Sequence, residues 1–339
     1  MEKITIDQIA KMAYVSRSVV SRVLNNRPNV SDESRERVLR VIEAYNYTPN
    51  ATARSLATHR SFEICILAPR KPDDVFANAF WSLLFLGISE QALKRGYFVS
   101  LSMVADEMEG KMNQRVFCGP LFDGYILISR TVLDQLLAAI RQRRIPVVQI
   151  GSTPDYEDVP SVDIDNISGA CAATEHLIGL GHRNIAAIMG ALYNMESIDR
   201  LEGYKKALVR HGLPLEDDMV GVGNYSHKSG YDAMATLLTR TPRPDAVFCA
   251  NDAMAAGALL AISEAGLSVP HDVAVVGYDN LPGSAYTIPP LTTISQPIHR
   301  MGERAADLLI DRIEEVNLDV AHEKLDACLI IRKTCGAAL

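Results

Sequence analysis

Two arginines, Arg17 and Arg22, stand in one short segment with Ser16, Ser18, Ser21 and Asn25. An arginine fork grips a guanine edge or a phosphate, and Ser16, Ser21 and Asn25 suit contacts to a sugar–phosphate backbone. The chemistry these types can do is recognition of a duplex rather than bond-making. Charge is distributed to match. Residues 1–60 hold ten Lys/Arg and six Asp/Glu, a balance of +4, while the rest carries 24 basic and 35 acidic residues, a balance of −11. A basic head on an acidic body implies a polyanionic partner for the head alone.

Catalysis finds little to work with. The eight histidines (His59, His176, His182, His211, His227, His271, His299 and His322) form no His-x-x-x-His pair, and the six cysteines form no Cys-x-x-Cys pair. No Gly-x-Ser-x-Gly elbow or phosphate-cradling lysine loop occurs, and Gly221-Val222-Gly223 lacks the third glycine of a dinucleotide fingerprint. No catalytic residue, metal site or cofactor is expected. Scattered thiols, the lack of an apolar leader after Met1, and the lack of an 18-residue apolar run point to a cytoplasmic protein without a membrane partner.

The elements that must carry the arginines can be read locally. Thr5-Ile6-Asp7-Gln8 has the form of a capping box, with Ile6, Ile9, Ala10 and Ala13 forming one apolar stripe behind it. Ser16 can cap a second helix from Arg17 to about Asn25. That helix turns Val19, Val20, Val23 and Leu24 inward and leaves Arg17, Ser18, Ser21 and Arg22 outward. Pro28 breaks the chain. Ser31 with Asp32 and Glu33 then starts a third helix whose apolar face is Val38, Val41, Ile42 and Tyr45. Two short helices, a tight turn and a third helix make a helix-turn-helix. The competing reading is a small bundle with a solvated polar face; the segment that follows, Tyr47-Thr48-Pro49-Asn50 and on to Ala57, is too poor in apolar groups to fold alone, and the resemblance given below decides between the two.

Beyond residue 60, apolar runs at 64–68, 97–101, 125–128 and 146–150, then 185–188, 246–249 and 273–276, alternate with helical stretches at 81–94, 168–179 and 199–212. This alternation predicts doubly wound parallel sheets in two lobes, with a ligand cleft beyond the carboxyl ends of the strands.

Thr5 to Ala10, Val15-Ser16 with Val20 to Asn25, and Tyr47-x-Pro49-Asn50-x-x-Ala53-Arg54-Ser55-Leu56 together resemble the signature of the lactose/galactose-repressor family. So do Gly181-His182-Arg183-Asn184-Ile185, Arg200-x-x-Gly203-Tyr204, Ala250-Asn251-Asp252, Val276 to Asn280 and Pro289 to Ile294, so the resemblance spans nearly the whole chain. It implies a helix-turn-helix domain at 1–46, a hinge helix and linker at 47–60, and a periplasmic-binding-protein-like core at 61–339. The core's first lobe is expected at about 61–161 plus 292–320, and its second at 162–291 plus 321–339.

It also implies roles. Thr5, Ser16, Ser21, Asn25 and Asn50 belong to the DNA-contacting set, Arg17 and Ser18 select the operator, and Arg22 reads a shared guanine. Ala53 and Leu56 enter the minor groove, with Leu56 wedged into the central base step. An apolar wedge of this kind bends the duplex, and two must meet at one step, so operator binding requires a homodimer. Arg200, Asn251 and Asp279 hold effector hydroxyls, Tyr225 lies against the sugar face, and Phe80 and Trp81 reach the cleft from the first lobe. The loop Pro69 to Asp74 departs from the family's common pattern.

The expected function is a non-enzymatic, sugar-released repressor of carbohydrate-use genes acting on pseudo-palindromic double-stranded DNA. The alternatives are a purine-type corepressor-dependent regulator and a sugar-binding protein of the same fold. No heptad tail follows Thr334, so a dimer is expected, through helices such as 254–265.

Overall fold

The computed structural model describes residues 4–24, 28–45, 47, 60–68, 72–76, 78–103, 122–128, 134–151, 156–316 and 318–337. The chain divides into two units, Met1–Ser61 and Phe62–Leu339.

In the first unit, α1 (Ile6–Met12), α2 (Arg17–Leu24) and α3 (Asp32–Ala44) surround a core of Ile9, Ala10, Ala13, Val20, Val23 and Val38. The capping box forms in both directions. The Gln8 amide donates to Thr5 Oγ1 at 3.3 Å, and the Thr5 amide donates to Gln8 Oε1 at 2.7 Å. Ser16 accepts from the Val19 amide, and Ser31 accepts from the Ser34 amide to cap α3. One expectation fails. Tyr45 is the C-cap residue of α3 and is 55% exposed, while Tyr47 packs against the core instead. The helix ends at Ala44, so its 3.6-residue period no longer aims Tyr45 inward.

The second unit holds two six-stranded sheets. The first runs β11-β5-β4-β3-β1-β2, every pairing parallel, and contains β1 (Glu63–Ala68), β2 (Phe98–Met103), β3 (Gly124–Ile128), β4 (Val147–Ile150), β5 (Ser161–Ile164) and β11 (His322–Leu325). The second runs β12-β10-β9-β8-β6-β7, from β6 (Ile185–Met189), β7 (Val220–Val222), β8 (Ala246–Cys249), β9 (Ala274–Asp279), β10 (Thr292–Ser295) and β12 (Cys328–Ile330); only the β10–β12 pair is antiparallel. Strands such as β1, β3, β6, β8 and β9 are buried along almost their whole length, which is why they read as unbroken apolar runs.

Among the described residues the α-helices are α4 (Pro72–Phe76), α5 (Ala79–Lys94), α6 (Asp134–Gln142), α7 (Asn166–Gly179), α8 (Met195–Arg210), α9 (His227–Leu237), α10 (Asp252–Glu264) and α11 (Ile298–Ile313). Pairs of them pack directly against each other. A Cβ on Gly87 of α5 would sit 2.0 Å from the His299 carbonyl oxygen of α11, and one on Gly257 of α10 would sit 2.0 Å from the His227 carbonyl oxygen of α9. Only glycine permits these approaches.

Strand pairing redraws the expected lobe limits. Residues 161–164 and 322–325 belong to the first sheet, whereas 292–295 belong to the second. The chain therefore passes between lobes three times: between β5 and β6, between β10 and α11, and between β11 and β12. Helix α11 buries Ile298, Met301, Ala305, Leu309 and Ile310 in the first lobe's core. Strands β5, β7, β10, β11 and β12 escaped the sequence reading because Ser161-Val162-Asp163-Ile164 or His322-Glu323-Lys324-Leu325 offers no apolar run; their partners, not their composition, make them strands. The segment read as a loop through Asp74 contains α4 from Pro72 onward.

Candidate functional site

A cleft of about 330 Å³ opens at the carboxyl ends of the strands of the second unit. The first lobe contributes Asn78, Phe80 and Trp81, which begin α5 just beyond β1. The second contributes Ala191, Tyr193, Asn194 and Glu196 after β6, and Arg200 one turn further along α8. It also contributes Asn224, Tyr225, Ser226 and His227 after β7, Asn251 and Ala253 after β8, and Asp279 ending β9. All six residues expected to meet a small molecule, Phe80, Trp81, Arg200, Tyr225, Asn251 and Asp279, line this one cavity. A hollow of about 370 Å³ at Asp218 and Arg240 is surface relief. Its arginine is already paired with Glu216 and Asp218.

Arg200 is the buried centre of the cleft floor. Its Nε–H donates to Asn166 Oδ1 at 2.9 Å, Nη1 donates to the Ala250 carbonyl, and Nη1 lies 3.7 Å from Asp279 Oδ1. The guanidinium carbon stacks 3.8 Å from the centroid of the Tyr278 ring. A charge this buried is tolerable only with such partners. They fix the guanidinium plane and leave Nη2 without a protein acceptor among the described residues. Asp279 adopts φ +114 and accepts from the Gln296 amide. Burial pushes its carboxyl above the usual carboxylate range, against the opposing pulls of Arg200 and the hydrogen bond from the Gln296 side-chain amide.

Tyr225 adopts φ +69, and its ring lies so close over Gly190 that a Cβ there would meet ring carbon Cζ at 2.1 Å. Burial raises its hydroxyl pKa, so it stays a neutral donor. Asn251 caps α10, accepting from the Met254 amide at 2.8 Å, and holds the Tyr225 backbone by donating Nδ2–H to its carbonyl at 3.1 Å. Asp252, the first residue of α10, reaches away from its own helix. Its Oδ2 accepts from the Leu281 amide at 2.7 Å and its Oδ1 from the Thr293 hydroxyl, which ties α10 to β10 and to the turn after β9. Trp81 is both wall and core: 8% exposed, it meets Phe80 edge-on at 5.8 Å within the first lobe's apolar cluster.

The sequence reading missed Asn166, Asn194, Glu196 and Asn224. Asn194 is buried with Oδ1 lacking any partner among the described residues. Its signal was faint: an Asn before a helix, here making no side-chain cap bond. His176 and His182 serve structure, contacting Cys335 Sγ at 3.3 Å and Asp245 at 3.3 Å. One trio, Glu90, His299 and Glu303, groups ligand-type atoms within 4.8 Å among the described residues, outside the cleft lining.

In the first unit, Arg17, Ser18 and Arg22 are exposed on α2, Ser16 precedes it, and Ser21 is half-buried. Arg17 makes only a solvent-exposed 3.8 Å pair with Asp7, so its guanidinium stays available. Thr5 is committed to the capping box. Asn25, Asn50, Ala53 and Leu56 lie outside the described residues. Among those residues no helix is long and apolar enough to cross a membrane.

Residues 5–50 match the model of bacterial regulatory proteins of the lacI family, and residues 174–335 match that of a periplasmic binding protein-like domain. The chain is 35% identical to the HTH-type transcriptional regulator CelR of Thermobifida fusca over 333 residues, covering 97% of this chain and 98% of that protein. It is 36% identical to the ribose operon repressor of Escherichia coli K12 over 331 residues, covering 97% and 98%. Among solved structures it resembles the CelR–cellobiose complex (TM-score 0.77, 34% identity, 98% of this chain and 100% of that one). It also resembles the lac repressor dimer bound to operator and an anti-inducer (TM-score 0.84, 30% identity, 99% and 100%). With a matching helix-turn-helix, a matching two-lobed core and relatives aligned end to end, the chain belongs to the lacI family of bacterial regulatory proteins.

Proposed function

We propose that the protein is a transcriptional repressor of carbohydrate-use genes that binds a pseudo-palindromic operator as a homodimer in the cytoplasm and releases it when a sugar enters the cleft. The observation that carries this reading is the convergence of Arg200, Asp279, Asn251, Tyr225, Phe80 and Trp81 on one cavity in a chain whose other unit is a helix-turn-helix. A guanidinium fork, a carboxylate and carboxamides hold hydroxyls, while aromatic faces take the apolar side of a sugar ring. Similar regulators that hold cellobiose or ribose favour a sugar over a purine.

The mechanism follows from the three crossings between the lobes. A ligand touching α5 of the first lobe and α8, α9 and α10 of the second favours one lobe orientation. It shifts operator affinity only through its unequal affinity for the two orientations. On the DNA side, Arg17 and Arg22 project from α2 toward a major groove, and Leu56 acts as the minor-groove wedge. The test is binding of the full chain to inverted-repeat duplexes selected from random sequence, repeated with mono- and disaccharides. Selection of a palindrome, followed by release with at least one sugar, is expected. No preference over random duplex, with or without ligand, refutes the proposal; release by a nucleobase alone replaces the sugar with a purine.

A further inference from the structure

Glu196 is the one acidic residue in the first turn of α8, and it faces the cleft with no hydrogen bond or ion pair among the described residues. Two residues earlier, buried Asn194 presents Oδ1 with no donor. This end of the cavity therefore sets two unmet acceptors beside the Tyr225 hydroxyl, which also lacks a partner among the described residues.

Charge around it points the same way. Among the described residues the lining contains Glu196, Asp279, Arg200 and His227 and no lysine. Arg200 is the sole guanidinium of that lining; Asn166, the Ala250 carbonyl, Asp279 and the Tyr278 ring hold it, leaving only Nη2 free, and the charges of Asp279 and Glu196 both act on it. Helix N-termini would otherwise draw an anion. Those of α5, α9 and α10 are closed by their own caps, Asn78, Ser226 and Asn251, while α8 lacks a side-chain cap bond and carries Glu196 in its first turn. The partial positive charge that would hold a phosphate or carboxylate there is already met.

We infer that Glu196 is a charge filter: with Asn194 it selects an effector that presents hydrogen-bond donors at this end, a neutral polyol or a protonated amino sugar, and rejects uronic acids and sugar phosphates. This rests on the sugar reading above. An ammonium or hydroxyl donates to both acceptors, whereas an anionic group brings acceptors only and places like charges together.

The test is calorimetric titration of the full-length protein, wild type and Glu196→Gln, with glucose, ribose and cellobiose, and with glucosamine, glucuronate, glucose 6-phosphate and ribose 5-phosphate. Neutral or amino sugars are expected to bind wild type at least about tenfold more tightly than the anionic counterpart of the same ring. Glu196→Gln keeps the side-chain size and is expected to narrow that gap at least about fivefold while weakening glucosamine relative to glucose. Tighter binding of an anionic sugar to wild type, or a gap unchanged in Glu196→Gln, overturns the filter and leaves the sugar reading standing. Absence of binding by the whole panel, with a nucleobase bound in its place, overturns both.

Discussion

At the residue scale, Arg200 shows how one side chain joins stability to recognition. Its buried charge is held by an amide, a carbonyl, a carboxylate and an aromatic face, and the same partners orient the fork. Arg200→Ala is expected to weaken sugar binding about 100-fold or more and to abolish release, while operator affinity stays within about threefold of wild type. Titration calorimetry and operator gel shifts check the two halves. Asp252 carries a pH dependence. Burial raises its carboxyl from 3.8 to about 7, with hydrogen bonds from Thr293 and Leu281 opposing. Between those values the folded chain keeps a proton that the unfolded chain has lost, so this contribution is full below about pH 4 and fades as pH rises toward 7. Asp252→Asn is expected to flatten the fall in urea midpoint across that window. An unchanged slope would assign it to other groups.

At the element scale, local sequence is strong in the first unit. The capping box at Thr5 closes a helix of 7 residues, which is too short to persist alone. Thr5→Ala is expected to cost about 1 kcal/mol of domain stability, read as a lower unfolding midpoint followed by circular dichroism, with cleft binding unaltered. The larger helices depend instead on tertiary packing. Gly87 and Gly257 give no helical signal, yet they permit α5 to lie on α11 and α9 on α10.

At the scale of the whole molecule, the proposed operator complex joins two copies, and the wedge expected of Leu56 and the recognition helices would contribute different energies. Leu56→Ala is expected to weaken binding to the selected palindrome at least about tenfold more than binding to random duplex, because unstacking occurs only at the specific step. Fluorescence anisotropy on both duplexes measures this, and equal losses would remove the wedge role. For the wild type, affinity is expected to fall steeply and log-linearly with salt, since arginine–phosphate contacts release counterions. A flat response would discount the basic head as a DNA surface.

The sequence by itself determined what depends on near neighbours. The cap at Thr5, the outward arginines of α2 and the apolar runs of the central strands follow from side chains a few positions apart. Motifs carried by resemblance also named six residues that one cavity gathers. Only the tertiary structure decided what depends on distant partners. Strands β5 and β11 take their place from each other, so the lobe limits moved. Asp252 reaches Thr293, 41 positions away, instead of capping its own helix. Asn194 and Glu196 become meaningful only because folding places both on one cavity wall with no donor to either among the described residues. Local patterns encode hydrogen bonds within a turn, whereas charge balance in a cleft is a sum over residues the chain brings together from more than two hundred positions.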